Sequence, residues 1–300
     1  PAGADAVVMV EDTEREESRV TFLRPAKRSD NVVRCGSEAP AGKIVLRRGR
    51  TLGSGEVSLL ASLGAAQVRV FRQLHVAILT TGDELVPVDA RPEWFQIRDS
   101  NAFALRAQVA EAGGIPHSIG IAPDRPETIR AMIQQCLEQD CFVLSGGVSA
   151  GKYDFVERVL EEMGAEFYFR SVAIRPGKPL VFGKLQSKFF FGLPGNPVSA
   201  YVTFEVFARY AIRALGGVGF DEPVFLGARL AKPVAPKAGL TTFIPARVEM
   251  DGSFPLVDRL PWQGSGDLAG AAAANCFLVM RPGEGPHGAG DWVTVMPKRD

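Results

Sequence analysis

The feature that most narrows the fold is an alternation running from residue 75 to residue 215. Short apolar runs take turns with helix-length segments of 3.6-residue periodicity. "HVAILTTG" reads as a strand ending in small polar residues, and "SNAFALRAQVAEAGG" (100–114) as a helix with Asp99 or Ser100 at its cap and a double-glycine stop. "IPHSIGI" is a second strand. "RPETIRAMIQQCLEQ" (125–139) is a helix with Pro126 in its first turn, and "CFVLSGG" is a third strand before a helix at 154–163. "KFFFGLPGNP" (188–197) gives one more strand and a sharp loop feeding a long helix at 198–215. Tyr201, Phe204, Ala208, Ala211/Ile212 and Leu215 recur there at helical spacing and are expected to face the core. Such alternation predicts an α/β fold, a mostly parallel open sheet with helices on both faces. Ligands of these sheets bind beyond the carboxyl ends of the strands. Three polar loops fall at those ends: TTGDE, SGGVSAGKYD and LPGNPVS.

The flanks have a different texture. Residues 1–50 read as short β segments, Ala6–Val10, Arg19–Leu23 and Lys43–Leu46, between acidic and Gly/Pro-containing turns. "EVSLLASLG" (56–64) is a short helix ending at Gly64, and Gln67–Phe71 is a strand. Beyond residue 219 come five short strand patterns with Gly/Pro turns and no long helix, which predicts a small β-barrel or sandwich. The expected domains are 1–50, the C-terminal part of a β-rich domain; 51–72, a linking segment of a small domain; 73–218, the α/β domain; and 219–300, the barrel. "PAGADAVVMVEDTE" enters a strand pattern at once and without an initiator methionine, so the chain is expected to start inside a longer protein.

Composition limits the function classes. With 34 basic and 34 acidic side chains the net charge is zero, which argues against a nucleic-acid surface but not against a local anion site. Cys35, Cys136, Cys141 and Cys276 have no metal-ligand spacing, and three lie in or beside apolar pattern, as reduced cysteines of a cytoplasmic protein would. His75, His117 and His287 form no zinc pattern. No run approaches the roughly 20 apolar residues of a membrane span.

The loops themselves suggest oxyanion chemistry. In LSGGVSAGKYD, Gly146 and Gly147 let the backbone approach a ligand, while Ser145 and Ser149 offer hydroxyls. Asp154 would suit a magnesium ion or an attacking water, though it equally suits the N-cap of the next helix. The loop is not a P-loop, because Tyr153 follows Lys152. In AIRPGKPLVFG, Arg175 and Lys178 stand three apart in a proline-stiffened turn, two fixed cations for phosphate or a tetraoxoanion. Asn196, Pro197 and Ser199 sit at a helix entrance, which favours an anion and also serves simply to start the helix. Thr80, Thr81 and Gly82 precede Asp83 and Glu84, carboxylates able to hold a divalent ion or cap locally. Arg247 in "IPARVE" and Ser265 in "WQGSGDLAG" belong to the barrel, where surface placement is the default. No GxSxG, Ser-His-Asp order or dinucleotide fingerprint occurs, which leaves phosphoryl or nucleotidyl chemistry or anhydride hydrolysis.

TTGDEL (80–85), IRDSNAFAL (97–105), SGGVSAGKYD (145–154), AIRPGKP (173–179) and FGLPGNPVSA (191–200) together resemble, in order and spacing, the molybdopterin molybdenumtransferases of molybdenum-cofactor biosynthesis. The E domain of gephyrin is a relative, and PAGADAVVMVE and GSGDLAGAAAAN extend the likeness over nearly the full chain. The resemblance implies a molybdopterin-binding α/β domain, a C-terminal barrel and β-rich domains near the amino end. It implies binding of adenylylated molybdopterin and molybdate, magnesium-dependent release of AMP, and a homodimer whose cleft draws on both subunits. The adenylyltransferase that makes the substrate is an expected protein partner.

By position, the resemblance makes Arg175 and Lys178 the basic pair at molybdate, with Ser199 nearby and Arg247 and Ser265 facing them from the barrel. Asp154 and Glu84 become the acidic residues of magnesium-dependent cleavage, with Asp124 a further member. Thr81, Gly82, Gly146, Gly147, Ser149 and Asn196 become pterin-phosphate contacts. The chain departs from the family at Arg175, where lysine is usual, and at Ser37–Glu38, where Glu-Asp is common. Two other readings remain beside this one: a molybdopterin adenylyltransferase-like enzyme, and a non-catalytic dimeric scaffold related to gephyrin.

Overall fold

In a computed structural model, residues 2–147, 155–219, 222–235 and 239–298 are described. The chain divides into two compact units, residues 1–64 and 65–300. In the first, β1 (Thr13–Glu16) and β2 (Arg19–Phe22) form an antiparallel hairpin, and α1 (Ser54–Ser62) starts where Glu56 accepts the Gly53 N–H at 3.0 Å. Arg19–Leu23 is thus a strand to within one residue. Ala6–Val10 and Lys43–Leu46 are not strands. A strand needs a neighbouring ladder to satisfy its N–H and C=O groups, and among the described residues the Ala6–Val10 backbone has one long-range backbone hydrogen bond, Val7 N–H to Asp30 O. Gln67–Phe71, in the second unit, is not a strand either.

The second unit opens with β3 (His75–Thr81), a small parallel pair of β4 (Leu85–Val86) and β5 (Ile97–Arg98), and α2 (Asn101–Glu111). Then come β6 (Ile115–Ala122), α3 (Pro126–Cys136), β7 (Cys141–Ser145), α4 (Phe155–Glu162) and β8 (Glu166–Phe169). Next are β9 (Ile174–Arg175), β10 (Val181–Leu185) and β11 (Lys188–Leu193). The main sheet has the order β6-β3-β7-β11-β10-β8. It is mixed: β6, β3, β7 and β11 run parallel, while β10 lies antiparallel between β11 and β8. Alternate strand residues explain why both faces are covered. Ala77, Leu79, Phe142 and Leu144 pack against α3 and α4, whereas Val76, Ile78 and Val143 pack against α2 and the long helix after β11.

That helix is not uniform. α5 (Pro197–Thr203) passes through a π-helical turn at Phe204–Ala208 into α6 (Arg209–Leu215). Phe204, Ala208 and Ile212 are buried as their spacing predicts, but Leu215 is 42% exposed. A π turn inserts an extra residue and rotates the helix beyond it, so a 3.6-residue count carried through it drifts off the core.

The remaining chain is a closed ring. β12 (Leu226–Leu230), β13 (Thr241–Asp251), β14 (Phe254–Arg259), α7 (Leu268–Ala273), β15 (Cys276–Met280) and β16 (Trp292–Pro297) follow in order. The strands run β14-β12-β16-β15-β13, and a β13–β14 pairing shuts the ring around Leu230, Val257, Leu278 and Val295. β9 is added to this barrel sheet rather than to the main one, parallel to β13 with Ile174 opposite Thr241 and Arg175 opposite Thr242. All four cysteines are free, and only Cys35 is exposed. No helix among the described residues is long and apolar enough to cross a membrane.

Candidate functional site

The turn after β9 is stitched in from several directions. Thr241 N–H donates to Ala173 O at 3.0 Å, and the Val172 and Leu180 N–H groups both donate to Lys178 O at 3.0 Å. Gly177, with φ +105°, lets the turn lie against α5: a Cβ there would collide with the Thr203 methyl and stand 3.5 Å from Ser199 O. Only glycine suits both that φ and that approach. From the barrel side, the Val198 N–H at the start of α5 donates to Ser265 O at 2.9 Å. Asp267 shapes the same loop by accepting the Gly270 N–H at 3.0 Å and the Gln263 N–H at 3.1 Å. Those two N–H groups, Gly270 first, hold its carboxyl below the ordinary range.

These ties form a cleft of about 460 Å³ whose walls include Arg175, Lys178, Asn196, Ser199, Trp262 and Ser265. Residues from 175 to 265 in the sequence thus meet in one place. Arg175, Lys178 and Asn196 are exposed, whereas Ser199 is 4% exposed. Neither the Arg175 nor the Lys178 side chain makes a hydrogen bond or ion pair among the described residues. Two cations without counter-ions, beside hydroxyl donors, are what a multiply charged oxyanion requires.

A scaffold of polar side chains aligns the neighbouring strand ends. Asn101 donates to Ser145 Oγ at 2.9 Å and to Gly195 O at 2.8 Å, fastening the β7 end to the loop before α5. Buried Asp99 accepts the Thr80 hydroxyl at 2.6 Å and the Ala102 N–H at 3.0 Å, so it holds the β3 end and caps α2. Gly146, with φ +97°, crosses Thr81 so closely that a Cβ would strike the Thr81 carbonyl. Thr81 Oγ1 is buried with no partner among the described residues, and a Cβ on Gly147 would meet it at 3.1 Å. Thr81, Gly146 and Gly147 are therefore one cluster at the ends of β3 and β7.

The acidic candidates lie next to it. Glu84 folds its carboxylate back over Gly82, and Asp83 accepts the Asp124 N–H at 3.1 Å, which joins the loops after β3 and β6. Gly82 also edges a separate cavity of about 740 Å³ along β3, β6 and α2. Asp154 and Ser149 lie outside the described residues. Arg247 is not in the cleft wall; it stands exposed on β13 and pairs with Glu249 at 2.7 Å. The sequence reading missed Trp262, although it adjoins the glycine-spaced loop already singled out, and it missed the scaffold roles of Asn101 and Thr80.

Comparison with known proteins gives the family. Residues 77–214 match the family model described as a probable molybdopterin binding domain, residues 1–64 the MoeA N-terminal region (domain I and II), and residues 227–298 the MoeA C-terminal region (domain IV). The molybdopterin molybdenumtransferase of Haemophilus influenzae is 36% identical over 301 residues, covering 99% of this chain and 74% of that one. The chain belongs to the molybdopterin molybdenumtransferase family. The Nostoc member is also 36% identical, over 99% of this chain and 69% of its own length. A crystal structure of a molybdopterin biosynthesis MoeA protein from Pyrococcus horikoshii superposes with a TM-score of 0.77 at 31% identity, covering 99% of this chain and 73% of that one. The family assignment thus spans both units and all the loops that build the cleft.

Proposed function

We propose that this chain catalyses magnesium-dependent insertion of molybdenum from molybdate into adenylylated molybdopterin, with release of AMP. The observation that carries the proposal is the cleft in which Arg175 and Lys178, without counter-ions among the described residues, stand beside Ser199 and Ser265. Molybdate is a compact dianion. A guanidinium fork, an ammonium and two hydroxyls can replace much of its hydration shell. Arg175 in the place of lysine keeps the charge and adds a bidentate face. Thr81, Gly82, Gly146, Gly147, Ser149 and Asn196 are proposed to line the way for the pterin-phosphate part along a sheet of the molybdopterin-binding kind.

Among the described residues no group of three or more His, Cys, Asp or Glu could cage a metal ion. Magnesium commonly takes only one or two carboxylates beside substrate phosphates and water. Glu84, at the β3 end, is a donor of that kind, and Asp154 is proposed as its companion, with Asp124 nearby. When bound, the ion would neutralise phosphate charge as AMP leaves. The active unit is proposed to be a cytoplasmic homodimer that receives its substrate from the adenylyltransferase.

The test is AMP release from adenylylated molybdopterin as molybdate is varied. Lys178→Ala should shift the response about ten-fold or more, the loss expected for one charged hydrogen bond. An unchanged response would remove Lys178 from the site. ATP consumption in place of AMP release would favour the adenylyltransferase reading, and partner binding with no AMP release the scaffold.

A further inference from the structure

At the end of the main sheet away from the cleft, two histidines share one hydrogen bond. His75 opens β3, and His117 lies in β6, the outermost strand, whose ladder partner among the described residues is β3. The register sets His117 opposite Ala77. Opposed residues share a face, and so do residues two apart in one strand. His75 and His117 therefore lie diagonally to one another on the side of the sheet where Ala77 packs against α3 and α4. Their rings are tilted by 30° with centroids 4.9 Å apart, and His75 Nδ1 stands 2.7 Å from His117 Nε2. Both residues are half-buried. Neither ring makes another hydrogen bond among the described residues, and the outer nitrogens, His75 Nε2 and His117 Nδ1, are not sealed from solvent.

The charged groups beside the pair are already committed. Asp140 accepts the His75 backbone N–H, and Arg72 takes both of its carboxylate oxygens. Among the described residues no third His, Cys, Asp or Glu joins the two rings in a group able to hold a metal ion. The pair is thus a two-donor arrangement whose remaining coordination positions would fall to water. Its spacing is selective. Two imidazole nitrogens, each about 2.0 Å from one metal ion, stand about 2.8 Å apart when the ion holds them at a right angle, and about 3.3 Å apart at the tetrahedral angle. The separation of 2.7 Å matches the first arrangement and would have to widen for the second.

We propose that His75 and His117 form a binding site for a divalent transition-metal ion of right-angle geometry, copper(II) or nickel(II). Both rings bind through the nitrogens that now face each other. The proton between them stays on its own ring and passes, through solvent, to that ring's outer nitrogen. Two neutral donors result, with no net change in protonation. The ion then replaces the hydrogen bond as the tie between β6 and β3, and so clamps the edge strand at the end remote from the cleft. The site is independent of what the cleft binds. The two histidines are 42 residues apart in the chain, so no ligand spacing along the sequence announces them.

The experiment uses tag-free Cys35→Ser protein, which removes the exposed thiol as a competing donor. His287 is then the only histidine outside the pair. Calorimetry with nickel(II) and zinc(II) should show nickel bound about ten-fold or more tighter than zinc, because tetrahedral zinc has to pull the rings apart. The paramagnetic resonance spectrum of the copper(II) complex, at one equivalent of metal, should carry the splitting of two imidazole nitrogens. Adding His117→Gln should weaken nickel about a hundred-fold, at or beyond the loss seen when a residue that merely supports a ligand is removed. Its copper spectrum should fall to a single nitrogen. Saturating nickel should raise the thermal midpoint of the protein with both histidines and leave that of the His117→Gln variant in place. A copper spectrum with fewer than two nitrogens from the protein with both histidines overturns the proposal, whether or not the variant folds. Nickel affinity unchanged by His117→Gln overturns it too, and zinc bound more tightly than nickel overturns the right-angle geometry.

Discussion

Arg209 and the Arg175–Lys178 pair are cations of one compact unit put to opposite uses. Arg209 is 2% exposed and gripped by Glu205 at 2.7 Å and Glu111 at 2.9 Å, with Gln108 also on Glu205. It fixes the π turn and α6 against α2. Arg175 and Lys178 are exposed, and their backbone is held rigidly while their charges have no partner among the described residues. Where a fold needs a cation it surrounds it with acceptors. Where a ligand needs one, the fold fixes the main chain and leaves the head group open.

The largest effect tests the structural side of this contrast. Arg209→Met leaves Glu205, itself 8% exposed, buried without its counter-ion. Removing one partner of a buried pair costs about 3–5 kcal/mol. Denaturant midpoints should show a loss of that size, while AMP release per folded molecule holds. A stable variant would mean that Arg209 is not the residue anchoring this helix. Gly177→Ala comes next and blurs the two roles. Backbone strain at positive φ costs about 1–3 kcal/mol, and the clash with Thr203 pushes Lys178 off its position. Both stability and molybdate response should therefore fall, whereas Lys178→Ala lowers only the second.

A third prediction concerns a paired cation at the opposite end of the strands. Arg72 binds Asp140, and together with the His75 N–H it holds that carboxyl at about 2. The unfolded value is near 4, so this pairing stabilises the fold above roughly pH 4 and is lost as pH falls towards 2. Asp140→Asn should flatten the acid limb of the stability curve between those values and leave neutral-pH AMP release unchanged. A fourth prediction follows from burial, which pushes the Cys136 and Cys141 thiols up to about 12 and the Cys276 thiol to about 11. A thiol reagent at pH 8 should tag Cys35 alone. Labelling of any other cysteine in the folded protein would contradict the packing.

The contrast between the two sets of cations was only half legible in the sequence. Periodicity exposed β3, α2, α3 and β7, because the two strands are short apolar runs and the two helices repeat apolar residues at helical spacing. It also brought out Arg175, Lys178 and Ser199 as residues with anion chemistry. It could not show that β9, two residues long, leaves the main sheet to pair with Thr241 and Thr242, because that register is set by contacts 67 residues away. The π turn was hidden for a related reason. Phe204–Ala208 has ordinary helical composition, and the buried Glu205–Arg209–Gln108 network is visible only once α2 lies against it. In Ala6–Val10 and Lys43–Leu46 the apolar pattern is present, but no ladder partner among the described residues turns it into a strand.

Arg247 sharpens the comparison from its weakest point. Resemblance places it with the molybdate residues, yet its side chain is 55% exposed, pairs with a 69%-exposed Glu249, and lies outside the cleft wall. Exposed pairs of this kind contribute about 0–1 kcal/mol. Arg247→Ala should therefore leave the denaturation midpoint within about 0.5 kcal/mol and the molybdate response unchanged. Should Arg247→Ala instead shift the molybdate response as Lys178→Ala does, Arg247 must act on the cleft of a second copy of the chain. Mixing Arg247→Ala with Lys178→Ala protein would then restore part of the activity, because each mixed dimer would carry one intact site.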